Sequence, residues 1–309
     1  MTADLIHRIR QEIRQVILGQ DVVIEQVLAA LLAGGHILLE GKPGLGKTHL
    51  VNTLAKTFGG HSGRIQFTPD LMPSDVTGFR LFDMQSQTFQ LRRGPVFTHL
   101  LLADEINRAP AKTQAALLEV MQERQVTIDG ETLPLAPPFM TLATQNPVEH
   151  EGTYPLPEAQ LDRFIMKVLI EYPERLAECE IVSRSAANQP DHVAQVCGPQ
   201  EIIAAQQATA LVQVVPEVVA YAVAIAQATR ESRAISLGAG TRGAISLVKI
   251  GKAYAVLDGR DFVTPDDIKR AALPVLRHRV QLTPEVAISG QEVDEVLRGI
   301  VESVLAPRQ

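Results

Sequence analysis

The stretch Gly41-Lys42-Pro43-Gly44-Leu45-Gly46-Lys47-Thr48 decides the fold class of this chain. It has the pattern G-x-x-x-x-G-K-T, follows the apolar run 37–39 and precedes a helical apolar pattern. A glycine-rich turn between a strand and a helix directs backbone N–H groups inward around a phosphate. Lys47 would then bridge the β- and γ-phosphates, and the Thr48 hydroxyl would bind magnesium. The alternative is a glycine-rich turn with a fortuitous Lys-Thr.

Composition limits the class of protein. A length of 309 residues suggests about two domains, and 46% hydrophobic residues supply enough material for a core. The net charge of −6 weakly disfavours a protein that coats nucleic acid. Cys179 and Cys197 lack the spacing of a metal site or a disulfide framework. Without a long apolar segment or a signal-peptide core, we expect a cytoplasmic protein with no membrane span.

The order of apolar patterns predicts an α/β fold followed by a helical region. Strands are predicted at 37–39, 65–68, 98–103, 139–144 and 164–170, and helices at 4–17, 21–32 and 111–124. Their alternation indicates a parallel sheet with helices on both faces. Hairpins are predicted at 81–91 and 126–133; the second contains Asp129-Gly130, which suits a type I′ turn.

After Tyr172-Pro173 only helical patterns are predicted, at 174–184, 201–212, 216–230, 242–257 and 266–278. Thr264 as cap and Pro265 at the first position begin the last of these helices. We therefore predict two domains, a P-loop core at 1–172 and an all-α lid at 173–309.

Polar residues follow two of the buried strands. Asp104-Glu105 comes after the run 98–103, at the strand end where ligands bind in open parallel sheets. Asp104 would hold magnesium, and Glu105 would take a proton from the water that attacks the γ-phosphate. The alternative is that both acids cap the next helix. Asn146, after the strand 139–144, is suited to orienting that water, or simply to starting a turn with Pro147.

The order of these motifs resembles that of the AAA-plus ATPases, and three segments resemble the MoxR family in particular. They are Asp104-Glu105-Ile106-Asn107-Arg108-Ala109-Pro110, Ala143-Thr144-Gln145-Asn146-Pro147 and Gly152-Thr153-Tyr154-Pro155-Leu156-Pro157-Glu158-Ala159-Gln160-Leu161-Asp162-Arg163-Phe164. The resemblance covers nearly the whole chain. It implies an AAA-plus core with hairpin inserts and a C-terminal lid.

The resemblance also implies roles for particular residues. Asn146 matches the first sensor, Arg163 the arginine finger that reaches the neighbouring subunit, and Arg242 the second sensor. Surface salt bridges are the alternative for both arginines. The turn Leu18-Gly19-Gln20 lies where the family places the base pocket. The residues that we predict to bind the nucleotide are Gly41, Lys42, Pro43, Gly44, Leu45, Gly46, Lys47, Thr48, His49 and Asp104.

The function implied by the resemblance is that of a chaperone-like remodeller that hydrolyses ATP with Mg²⁺ in a homo-oligomeric ring, a hexamer. The family implies partners that contain von Willebrand factor A domains. A nucleic-acid motor on the same core is the alternative, disfavoured by the acidic composition and by hairpin tips without a basic cluster. A nucleotide-gated scaffold without activity is disfavoured by the intact set of catalytic side chains.

Overall fold

The computed structural model describes residues 2–42, 44–145, 153–187 and 190–307. The strands are β1 Ile37–Glu40, β2 Ser62–Gln66, β3 Gly78–Asp83, β4 Thr88–Arg93, β5 Leu100–Asp104, β6 Gln125–Ile128, β7 Glu131–Pro134, β8 Met140–Gln145, β9 Met166–Leu169, β10 Ile235–Leu237 and β11 Gln281–Leu282. The helices of the first half are α1 Thr2–Val16, α2 Asp21–Leu32, α3 Lys47–Thr57, α4 Pro73–Thr77, α5 Ala111–Glu123 and α6 Glu158–Leu161. Those of the second half are α7 Arg175–Ala186, α8 Pro199–Ala210, α9 Pro216–Glu231, α10 Thr241–Leu257, α11 Pro265–Leu276, α12 Pro284–Ile288 and α13 Val293–Ser303.

Five of these strands form one parallel sheet in the order β2-β5-β8-β1-β9. The predicted parallel core is thereby confirmed. Its register pairs Glu40 with Gln145, and Gln66 with Asp104, so that polar residues at the carboxyl ends of four strands share one edge. That edge is where a parallel sheet binds ligands.

Alternate residues of the buried strands pack into two apolar clusters, one on each face of the sheet. On one face Leu100 and Leu102 join the cluster that contains residues of α1, α2, α3, α8, α9, α10, α11 and α13. On the other face Leu101 and Ala103 join the cluster that contains α5. The long apolar runs therefore reflect strands buried on both faces.

Two hairpins project from the core as predicted. Strand β3 pairs with β4, and β6 with β7, both antiparallel. Asp129 and Gly130 have φ angles of 50° and 81°, as a type I′ turn requires. An ion pair between Arg80 and Glu131 links the two hairpins.

Helices predominate among the described residues after Pro173, and two short strands there form a sheet. Strand β10 pairs with β11, antiparallel, which corrects the expectation of a purely helical lid. Both strands are too short, at three and two residues, to produce an alternating pattern in the sequence. The apolar cluster that contains α1 and α2 continues into α8, α9, α10 and α11. The boundary at Pro173 lies between β9 and α7 and stays a prediction.

Within the described parts of the chain, no helix has both the length and the apolar character that crossing a membrane requires.

Candidate functional site

The phosphate loop connects β1 to α3 at the polar edge of the sheet. Gly44 and Gly46 have φ angles of 84° and 76°, in the left-handed region that favours glycine. A Cβ on either residue would meet no atom within 4 Å, so backbone conformation and not crowding requires glycine there. Pro43, which lies between Lys42 and Gly44 in the sequence, is outside the described residues.

Gly41 is required for a different reason. A Cβ on Gly41 would lie 2.5 Å from the carbonyl oxygen of Ile170, the residue after β9. A side chain there would push apart the ends of two neighbouring strands. Glycine therefore lets β1 and β9 align where the phosphate loop begins.

Lys47 points back across the loop, where its Nζ donates to the carbonyl oxygen of Gly41 at 2.5 Å. Burial lowers the pKa of Lys47, while the carboxylates of Asp104, Glu105 and Glu40 act in the opposite direction. A triphosphate bound beside Lys47 would further favour the charged ammonium. Lys42 lies at the loop's outer side, with Nζ 5.1 Å from the centroid of the Tyr172 ring.

The two predicted carboxylates lie at the end of β5, tied to the tip of β8. Asp104 is buried, and its Oδ1 accepts a hydrogen bond from Thr144 Oγ1 at 3.2 Å. Glu105 has a φ of 56°, and its backbone N–H donates to the same hydroxyl at 2.8 Å. Thr144 therefore holds both acids in place and leaves Asp104 buried and Glu105 at the cavity wall.

Sequence reasoning missed the polar residues of β2 that contact these acids. Arg64 Nε donates to Asp104 Oδ2 at 2.7 Å, and Gln66 Nε2 donates to Glu105 Oε2 at 2.7 Å. Arg108 Nε also lies 3.0 Å from Glu105 Oε2. The sequence predicted only a short strand at 65–68 here. The available signal was their spacing, since Arg64 and Gln66 lie two residues apart on one face.

Two adjoining cavities share the phosphate loop. The smaller, of about 330 Å³, is lined by the loop and by Arg64, Gln66, Asp104, Glu105 and Thr144. The larger, of about 670 Å³, lies between the turn after α1 and helix α7. Its apolar wall includes Ile17, Val23 and Ile181, and its polar lining includes Gln20.

The shape and donors of these cavities fit a magnesium nucleotide. Thr48 and Asp104 both line the smaller cavity and offer the oxygen ligands that Mg²⁺ prefers. The larger cavity continues from the loop into an apolar space suited to a base. His49 and Leu45 line both cavities. Of the described residues predicted to bind the nucleotide, all but Lys42 line at least one of the two cavities.

The structure places Arg242 beside the segment that carries Arg163. Arg242 Nη1 donates to Asp162 Oδ2 at 3.2 Å, and Asp162 directly precedes Arg163. Neither arginine is among the described residues that line the two cavities. Gln145 ends β8 beside Glu40, whereas its successor Asn146 lies outside the described residues.

A parallel sheet with a phosphate loop at its polar edge, followed by a helical lid, defines the class of AAA ATPases. Residues 36–166 match the model of the ATPase family associated with various cellular activities (AAA), and residues 227–300 match the AAA lid domain. The crystal structure of a "putative ATPase" from Cytophaga hutchinsonii is similar over 99% of this chain and 96% of that one, with a TM-score of 0.93 and 41% identity.

Relatives narrow the class to a family. The chain is 41% identical to Chaperone MoxR1 of Mycobacterium tuberculosis over 96% of this chain and 81% of that protein. It is 45% identical to the uncharacterized protein YeaC of Bacillus subtilis over 97% and 94%, and 30% identical to Protein MoxR of Methylorubrum extorquens over 98% and 96%. The chain belongs to the MoxR family of AAA-plus ATPases.

Proposed function

We propose that the chain binds and hydrolyses ATP with Mg²⁺ at the cavity beside β1 and β5. The observation that carries this proposal is the convergence of Lys47, Thr48, Asp104 and Glu105 on one cavity wall. Lys47 would compensate phosphate charge, and Thr48 and Asp104 would hold the metal. Mg²⁺ bound there would neutralise charge that develops on the transferring phosphoryl group.

Glu105 is the proposed general base. Its carboxylate lies at the cavity wall, where Oε2 accepts a hydrogen bond from Gln66 and forms an ion pair with Arg108. These contacts hold the Glu105 carboxylate in place at the cavity. Asn146, which directly follows β8 in the sequence, is proposed to orient the water that Glu105 deprotonates.

Arg163 and Arg242 are proposed to act on the nucleotide of a neighbouring subunit. Arg242 pairs with Asp162, the residue before Arg163, and neither arginine is among the described residues that line the two cavities, as a finger in trans requires. An arginine that stabilises the γ-phosphoryl group is worth about a thousandfold in turnover. The active species we propose is therefore a homo-oligomeric ring, a hexamer.

Partner proteins are proposed as the substrate of this machine. The β3–β4 hairpin exposes Phe79, Leu81, Phe82, Met84 and Phe89, an apolar surface that fits protein contacts better than a phosphate backbone. One of the relatives is named a chaperone. We propose chaperone-like remodelling of protein complexes, with a von Willebrand factor A domain protein as the partner.

The catalytic part of this proposal is tested with Glu105→Gln. We expect the purified variant to bind ATP normally and to hydrolyse it about a hundredfold to ten-thousandfold more slowly. Glu123→Gln, an exposed acid at the end of α5, is the control and should keep full turnover. Near-normal turnover by Glu105→Gln would overturn the assignment.

The partner is tested with the same variant. Glu105→Gln loaded with ATP should capture a purified von Willebrand factor A domain protein, and Lys47→Ala should not. Equal capture by both variants would show that nucleotide does not control the partner and would contradict remodelling.

A further inference from the structure

One carboxylate joins the core to the lid next to the proposed finger. Asp162 follows α6 and directly precedes Arg163. Its Oδ1 accepts a hydrogen bond from Arg279 Nε at 2.8 Å, and its Oδ2 accepts one from Arg242 Nη1 at 3.2 Å. Two lid arginines thus hold the two oxygens of a single core side chain.

Arg279 is the fixed side of this junction. Its side chain is 2% exposed, and it donates to the carbonyl oxygens of Phe164 at 2.7 Å and Ile165 at 3.2 Å. It also donates to the hydroxyl of Ser246 at 3.2 Å. Burial lowers the pKa of Arg279, and the hydrogen bond and charge of Asp162 oppose that effect. Asp162 is therefore the counter-ion of a buried guanidinium group that also donates hydrogen bonds to backbone carbonyls and a hydroxyl.

Arg242 is the adjustable side. Its side chain is 55% exposed, and Asp162 is the only ion-pair partner it has among the described residues. An exposed pair of this kind contributes little to stability and rearranges easily. Because Arg279 is buried and makes several hydrogen bonds, it fixes the position of Asp162. Asp162 in turn fixes the position of the exposed Arg242.

We propose that Asp162 is a positioning residue that aligns Arg163 and Arg242 as one pair facing the neighbouring subunit's nucleotide. This inference rests on the proposed function. The backbone of Asp162 leads directly into Arg163, while its side chain holds Arg242, so both cations take their position from one residue. Asp162 acts through the arginines and does not touch the nucleotide.

A positioning role predicts an asymmetry between subunits. A subunit with an altered Asp162 should donate its arginines poorly and yet use those of its neighbour normally. A merely structural role would impair the subunit both as a donor and as an acceptor. Mixed assemblies of two variants separate these possibilities.

The experiment uses Asp162→Asn, which keeps an oxygen for Arg279 and removes the charge that holds Arg242. We expect turnover to fall about tenfold to hundredfold, because a displacement of about 1 Å of a group that acts in the transition state can cost that much. The affinity for a fluorescent ATP analogue should be unchanged. Glu158→Gln is the control: it lies in the same short helix and accepts a hydrogen bond from Gln281 of the lid, but contacts neither Arg242 nor Arg279 in the structure.

Mixing gives the decisive result. Asp162→Asn mixed with Glu105→Gln should recover activity, because Asp162→Asn subunits receive intact arginines from their neighbours. Asp162→Asn mixed with Arg163→Ala should stay inactive, because neither variant donates properly. Full activity of Asp162→Asn alone, or no recovery with Glu105→Gln in proven mixed assemblies, would overturn the inference.

Two further measurements keep the outcomes distinct. If the wild-type protein does not hydrolyse ATP, the proposed function itself fails; if it does and Asp162→Asn matches it, only the positioning role fails. Should Asp162→Asn unfold, Asp162→Glu tests the same role, because it keeps the negative charge beside Arg279 and lengthens the side chain that holds Arg242. It should show the same donor-only defect, and an equal defect as acceptor would contradict the inference.

Discussion

The phosphate-loop region and the lid junction at Asp162 are built in opposite ways. The loop positions its ligand groups through backbone conformation within eight consecutive residues, with Gly44 and Gly46 in the left-handed region. The junction is made by charged side chains distant in sequence: Arg279 lies 117 residues after Asp162, and Arg242 lies 80 after it. The groups that bind phosphate are therefore positioned by neighbouring residues in the sequence, whereas the proposed communication between subunits depends on long-range packing.

The first prediction distinguishes nucleotide binding at the phosphate loop from the proposed action of Arg163 in the neighbouring subunit. Arg163→Ala should bind ATP as the wild type does, because the phosphate loop is untouched, while its turnover falls about a thousandfold. Wild-type activity per subunit should rise with protein concentration, and the variant should lose that rise. Steady-state turnover across a dilution series, with exposed Arg298→Ala as control, measures both. Equal turnover of wild type and Arg163→Ala would remove the functional distinction between the regions.

A second prediction concerns the dependence of stability on pH, which follows from two buried histidines, His36 and His278. Burial lowers the pKa of His36, at the start of β1, to about 4 from an ordinary value of 6.5. Burial also lowers the pKa of His278, which contacts the carbonyl oxygen of Phe164. As the pH falls from 6.5 towards 4, the unfolded chain takes up protons that folded His36 refuses, so stability is lost by up to roughly 3 kcal/mol from this residue.

Denaturant unfolding at pH 7.5 and pH 4.5 measures this loss. His36→Gln should lose less stability on acidification than the wild type, and His7→Gln, an exposed site on α1, should behave as the wild type does. An identical loss in all three proteins would mean that His36 is protonated in the folded state.

The third prediction concerns the affinity of the phosphate loop for ATP. Lys47→Ala should weaken ATP binding about tenfold to hundredfold, because one charged hydrogen bond to phosphate contributes about 1.5–3 kcal/mol. Lys56→Ala, at the exposed end of the same helix α3, supplies the control. Fluorescent-nucleotide titration decides the matter: unchanged affinity in Lys47→Ala would place the triphosphate elsewhere.

Features determined by neighbouring residues could be predicted from the sequence. The Asp129-Gly130 turn has both positive φ angles that its dipeptide favours. Thr264 caps α11 by accepting a hydrogen bond from the backbone N–H of Asp267, with Pro265 at the first helical position. The buried strand before Asp104 was predicted because both of its faces are apolar.

Features that depend on distant residues could not be predicted in this way. Arg64 and Gln66 were missed because a polar edge strand carries no mark of the acids beside it. Strand β2 lies at Ser62–Gln66 and not at 65–68, because pairing with β5 and not local apolarity determines its extent. The Arg279 contact needs the packing of α11 against β9, which no local pattern contains.

The apolar cluster shared by the sheet and the lid has a mechanical consequence. Swinging the lid outward as a hinged flap would expose apolar surface at about 25 cal/mol per Å², so uncovering even about 200 Å² would cost roughly 5 kcal/mol. Sliding of packed helices keeps that surface covered and costs far less. We therefore expect the lid to move by sliding of its packed helices over the sheet. A conformational change that starts at the nucleotide should then reach the neighbouring subunit as a small displacement and not as a wide opening.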